Sequence, residues 1–89
     1  MGYILAHSIR ERKVAKAKKA YEASDKPTSE EAFDRMTRIR EAAWAKHGKG
    51  VLCDFDDKST INVRKRFFTA KNVWIGALIA EGKPYFSVT

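Results

Sequence analysis

The sequence predicts an α+β fold, in which an N-terminal αα-hairpin packs on one face of a four-stranded antiparallel β-meander. Two observations support this prediction. Apolar residues recur at helical spacing in residues 1–50, and they alternate with the period of a strand in residues 51–89. A length of 89 residues is typical of one domain with one modest core. We therefore expect a single domain, residues 1–89, with a helical half and a sheet half.

The first predicted helix covers residues 9–23. Ser8 and Glu11 have the spacing of a capping box, in which each side chain bonds a free backbone N–H of the first turn. The helix ends before Pro27, because a residue that precedes proline is disfavoured in the helical conformation. Ahead of this helix, residues 3–6 are a short apolar run that would form an extra N-terminal strand or an extended lead-in.

The second predicted helix runs from about Thr28 to His47. Thr28 and Glu31 offer another capping box, and Gly48 ends the helix. Acidic side chains precede basic ones by four residues, the favourable order for ion pairs on a helix, at Glu31–Arg35 and Asp34–Arg38. These charges therefore indicate a solvated face that neutralises itself.

The second half of the chain predicts four short strands separated by turns. The first strand places Val51, Cys53 and Phe55 on its core face, so Cys53 is expected to be a small buried side chain. The same alternation continues this core face through Ile61, Val63, Phe67, Val73 and Ile75. Turn residues occur at 57–59, 69–72 and 81–83, and Pro84 opens an edge strand, where proline is tolerated.

The charge of the chain is strongly basic and unevenly distributed. Lys and Arg outnumber Asp and Glu by 18 to 11, which gives a net charge of +7, and residues 1–23 carry six basic but only two acidic side chains. The first helix aligns its cations along one side, at Arg12, Lys16 and Lys19, with Lys13 beside them. Like charges at this spacing destabilise a helix slightly. The pattern therefore indicates either a solubilising face or contact with a polyanion.

A second cationic patch is predicted on the outer face of the sheet. Strand alternation places Arg64, Arg66 and Trp74 on the face that the helices do not cover. Basic groups beside an exposed aromatic ring can hold phosphates and stack bases. The alternative is structural, because Asp54 and Asp56 would lie on the same face and could pair with the arginines across strands.

Patterns for catalysis and metal binding are weak. Asp54-x-Asp56 followed by Glu81-x-Lys83 has the order of acidic residues in some metal-dependent nucleases. Residues 81–84 have turn chemistry, however, whereas such a site needs its second acid inside a strand. One cysteine and two histidines without convergent spacing predict neither a catalytic triad nor a zinc site. We therefore expect no enzymatic activity, no metal and no cofactor.

Composition also bears on the compartment. A single cysteine excludes a disulfide framework and indicates a reducing environment. The longest apolar run, from Val73 to Ala80, has eight residues, fewer than the ~20 that a membrane span needs. The N-terminus lacks the features of a secretion signal. We expect a cytoplasmic protein without membrane association.

The leading hypothesis is a small, non-catalytic protein that binds nucleic acid or a nucleoprotein machine through its cationic first helix. The alternative is a protein-binding inhibitor or adaptor, of phage or mobile-element origin, that docks on an acidic protein surface. A helical hairpin followed by an antiparallel sheet is also similar to the layout of ribosome-dependent, messenger-RNA-cutting toxins. That resemblance implies a toxin-like RNase as a third hypothesis, although residues 85–89 lack the basic or histidine residues that such enzymes place late in the chain.

Overall fold

The computed structural model of the chain describes the backbone of residues 2–85 and the side-chain environments of residues 10–85. The elements are α1 (Gly2–Glu22), α2 (Ser29–His47), a short 3-10 helix (Lys58–Thr60) and α3 (Ile61–Ala80). No β-strand occurs within residues 2–85. The described part of the chain is therefore all-helical.

The predicted α+β class and its four-stranded meander over residues 51–89 are wrong. Most of that segment forms α3, and the final residues of the predicted edge strand, 86–89, lie outside the described part. The β-branched and aromatic residues of α3 favour strands intrinsically, but packing on neighbouring helices overrides that preference. The layout shared with the messenger-RNA-cutting toxins required the sheet, so that resemblance no longer holds.

The predicted ends of α2 are confirmed. The Thr28 hydroxyl accepts a hydrogen bond from the backbone N–H of Glu31 at 3.2 Å. Gly48 follows the helix with a positive φ of 92°, and its N–H donates to the carbonyl oxygen of Trp44. The start of α1 differs from the prediction, because the helix already includes residues 3–6 and continues through Ser8. The predicted N-terminal strand is therefore absent, and Ser8 does not begin the helix.

The three long helices form a layer with α3 in the middle. Both α1 and α2 pack on α3, while the described residues of α1 and α2 do not approach each other closely. The predicted αα-hairpin is thus wrong, since each of the first two helices finds its apolar partner in α3. Helices α2 and α3 run antiparallel, because Ser29 meets Glu81 at one end and Ala43 lies beside Val63 near the other.

The contact between α1 and α3 depends on small residues. Ala17 of α1 is completely buried. Gly76 of α3 lies against it so closely that a Cβ atom there would be 2.6 Å from the Ala17 carbonyl oxygen and would also collide with the Tyr21 side chain. Glycine is therefore needed at position 76 to let the two backbones approach.

The core of this layer is thin. Four of its eight buried apolar residues are alanines, and no large side chain is fully buried among the described residues. The segment between α2 and α3 contributes Val51 and Leu52, which pack with Ala43. Many larger apolar side chains, such as Trp74, are only partly covered. Within the described residues, no helix is long and apolar enough to cross a membrane.

A hydrogen-bonded carboxylate fastens the start of α2 to the end of α3. The backbone N–H and the hydroxyl of Ser29 each donate to the Glu81 carboxylate at 2.7 Å, and Lys83 Nζ lies 2.9 Å from it. Hydrogen bonds to the Glu81 carboxylate lower its pKa from 4.5 to about 2. The bond from Lys83 has the largest effect, and the two bonds from Ser29 come next. Glu81 thus serves as a structural link, whereas the sequence pattern placed it in a hairpin turn.

This link predicts a dependence of stability on pH. Because the pKa of Glu81 is lower in the folded state than in the unfolded chain, its stabilisation is present above about pH 4.5 and is lost as pH falls towards 2. We expect Glu81→Gln to lower the melting temperature at pH 7, and the gap between variant and wild type to narrow from pH 5 to pH 2.5. Circular dichroism melts across this range measure the gap. A gap that stays constant with pH would contradict the assignment.

Candidate nucleic-acid interface

The cations of α1 are exposed, and three of them lie on the side of the helix turned away from α3. Ala17 marks the side of α1 that contacts α3. Because successive helical residues are 100° apart, Arg12, Lys16 and Lys19 lie about 100–160° from Ala17, whereas Lys13 lies only about 40° from it. All four cations are exposed. We call these four residues, Arg12, Lys13, Lys16 and Lys19, the α1 ridge.

None of the ridge cations has an ion pair or a hydrogen bond within the part of the chain whose side chains are described. The nearby Glu22 is occupied elsewhere, since its carboxylate lies 3.1 Å from Lys26 Nζ. The ridge runs over eight residues, from Arg12 to Lys19, or about 10 Å along the helix axis. It is therefore a compact array of uncompensated positive charge.

Two cations of α2, Arg35 and Arg38, have carboxylate partners instead. Arg35 makes two hydrogen bonds, at 2.8 and 2.9 Å, to the Asp25 carboxylate, and Arg38 lies 2.8 Å from Asp34. The bond from Arg35 lowers the pKa of Asp25. The predicted Asp34–Arg38 pair is thus confirmed, while Arg35 pairs with Asp25 rather than with Glu31. The self-neutralising character expected for α2 is present, with one different partner.

Arg64, predicted at the second patch, is buried with only 4% of its surface exposed. Its guanidinium donates hydrogen bonds to the Thr60 hydroxyl and, at 2.7 Å, to the Asp57 carbonyl oxygen. It also lies 5.8 Å from the centre of the Phe55 ring. Arg64 therefore ties the 3-10 helix to the first turn of α3, and its guanidinium is engaged within the fold.

The three residues of the predicted second patch, Arg64, Arg66 and Trp74, do not share one face in the structure. Residues two apart share a face in a strand, but they are 200° apart around a helix, so Arg64 and Arg66 point in nearly opposite directions. Arg66 is exposed beside α2. Trp74 is half-buried and packs on Phe33, with ring centres 5.3 Å apart. The structure thus separates the three residues that the sequence placed together.

The segment between α2 and α3 corrects one further prediction. Cys53 is exposed, not buried, because residues 51–53 form a turn in which strand alternation does not apply. Two cations that the sequence patterns did not single out lie near Trp44, Arg40 at 5.1 Å and Lys49 at 6.0 Å from the ring centre. The four-residue spacing of Arg40 and Trp44 on one helix face could have indicated the first of these contacts.

Among the described residues, no group of three or more His, Cys, Asp or Glu side chains is placed so that it could hold a metal ion. The α1 ridge can donate several charge-assisted hydrogen bonds to anionic oxygens at once. No protein-family profile, no curated protein and no solved structure matches this chain.

Proposed function

We propose that this protein binds nucleic acid through the α1 ridge, without catalysing a reaction. One observation carries the proposal: four exposed cations within two helical turns have no carboxylate partner among the described residues, whereas Arg35 and Arg38 of α2 do. Lysine and arginine spaced along a helix match the repeated negative charge of a phosphate backbone. The ridge is a surface suited to several phosphates at once.

Phosphate contacts dominate this mode of binding. Helix α1 contains no Asn or Gln, the side chains that read adenine through paired hydrogen bonds. Contacts from Lys and Arg to phosphates position a protein on nucleic acid but carry no sequence information. We therefore propose sequence-tolerant binding in the cytoplasm, where a lone thiol such as Cys53 remains reduced.

A salt series tests this proposal. If the four ridge cations each neutralise one phosphate of duplex DNA, the logarithm of the association constant falls with a slope near −0.9 per phosphate, or about −3.6 in total. Raising the salt from 50 to 200 mM should then weaken binding about 150-fold. Fluorescence anisotropy of a labelled 20-base-pair duplex measures this change. Binding that is absent, or unaffected by salt, would overturn the proposal.

A further inference from the structure

A groove with an apolar floor runs between α2 and α3. Two adjoining cavities of about 300 and 390 Å³ form it, and both are lined by Ile39 and Arg66. The floor consists of Ala32, Ile39, Ala43, Val63, Ala70 and Val73. We call it the α2–α3 groove. It is a surface separate from the α1 ridge, because no residue of α1 lines either cavity.

The groove is open because the helices form a layer rather than a closed bundle. Helices α1 and α2 both pack on α3 but do not meet across it. Ile39, Val63 and Val73 consequently stay partly exposed. Contiguous apolar surface of this kind on a small protein commonly marks a place where another molecule binds.

The rim of the groove is positively charged. Lys46, Lys65 and Arg66 are exposed at its edges and have no ion pair within the described residues. Arg35 and Arg38 also line it, although they are engaged with Asp25 and Asp34. No Asp or Glu lines either cavity. A ligand that suits the groove must therefore combine an apolar strip with negative flanks.

We propose that the α2–α3 groove binds an acidic amphipathic α-helix of a partner protein. The lining residues of α2 extend from Ala32 to His47, a length of about 22 Å or four helical turns. A helix of that length places apolar side chains at positions i, i+3 or i+4, and i+7 along the floor. Its Asp and Glu side chains, on either flank, reach the three unpaired cations of the rim.

Two other occupants fit the observations less well. The floor is aliphatic, and the one ring that lines the two cavities is that of His47 at the end of α2, so the floor offers no row of rings on which successive nucleic-acid bases could stack. A second copy of this chain would have to supply an acidic helix, yet α1 and α3 are strongly basic and α2 carries equal numbers of acidic and basic side chains. Two chains of net charge +7 also repel each other.

A displayed library of helical 20-residue peptides tests the groove. Each peptide carries large aliphatic residues at i, i+4, i+7 and i+11, with either acidic or basic residues on both flanks. Selection against the intact protein should enrich the acidic peptides. Fluorescence anisotropy of one enriched peptide should show at least tenfold weaker binding to two variants, the charge reversal Lys65→Glu with Arg66→Glu, and the obstruction Thr69→Trp.

Matched controls make each outcome decisive. Thr69 is exposed, so Thr69→Trp can fill the groove without disturbing the core, and circular dichroism checks the fold of every variant. The charge-matched variant Lys16→Glu with Lys19→Glu should bind the peptide within twofold of wild type. The proposal is overturned if no acidic peptide is enriched or if Thr69→Trp leaves peptide binding unchanged. It also fails if Thr69→Trp abolishes the binding of duplex DNA, because nucleic acid would then occupy the groove. It fails likewise if wild type sediments as a dimer and Thr69→Trp does not, because a second copy of the chain would then occupy the groove.

Discussion

Replacing two ridge cations, Lys16→Gln with Lys19→Gln, is expected to weaken duplex DNA binding about 60-fold at 100 mM salt. Lowering the salt from 1 M to 100 mM raises the association constant roughly eightfold for each phosphate that the protein neutralises. The loss of two such contacts therefore lowers the association constant at 100 mM salt about 60-fold. The salt slope should also fall by about 1.8. Glutamine is a good helix former, and both positions are exposed, so the fold should not change.

The paired cations of α2 supply the matched control for this variant. The double variant Arg35→Gln with Arg38→Gln also removes two positive charges, but from residues that already contact Asp25 and Asp34. We expect less than a threefold loss of DNA affinity from this change. Equal losses in both double variants would show that binding follows net charge alone, and the α1 ridge would then not be the interface.

The ends of α2 and the ridge of α1 were predictable because their determinants are local, whereas the start of α1 and the pairing of α1 with α3 were not. The Thr28 cap of α2 depends on a hydroxyl and an N–H three residues apart, and the Asp34–Arg38 pair depends on four-residue spacing. The ridge follows in the same way from the 100° turn per residue. Arg35 paired with Asp25 instead of Glu31, because that partner lies outside α2, beyond the reach of helix spacing alone.

The second half was not predictable by the same reasoning. Strand alternation accounts in part for the positions of Val63, Phe67 and Trp74. The same three residues also lie on one side of a helix, and in α3 that side is turned towards α2. Choosing between the two requires knowing that α1 and α2 each need α3 as a packing partner. Asp57 did give a local indication of a helical start, since its side chain accepts a hydrogen bond from the N–H of Ser59.

The need for glycine at position 76 was not predictable from the sequence either, because it arises only from the contact of Gly76 with α1. Gly76→Ala is expected to lower the free energy of unfolding by about 2 kcal/mol. Alanine favours a helix over glycine by about 1 kcal/mol, but the added Cβ would lie 2.6 Å from the Ala17 carbonyl oxygen. That atom belongs to the backbone, so α1 itself must move to relieve the collision. Urea unfolding followed by circular dichroism measures the loss.

A second glycine separates this contact from the general effect of adding a methyl group. A Cβ at Gly50 would meet nothing within 4 Å, so Gly50→Ala should change stability by less than about 0.5 kcal/mol. A Gly76→Ala variant that is as stable as wild type, or more stable, would contradict this prediction. The gain in helix propensity would then outweigh the collision, and α1 could not lie as close to α3 as the contacts of Ala17 and Tyr21 with Gly76 indicate. The thin core makes the expected loss severe, because few other buried side chains hold α1, and with it the ridge, in place.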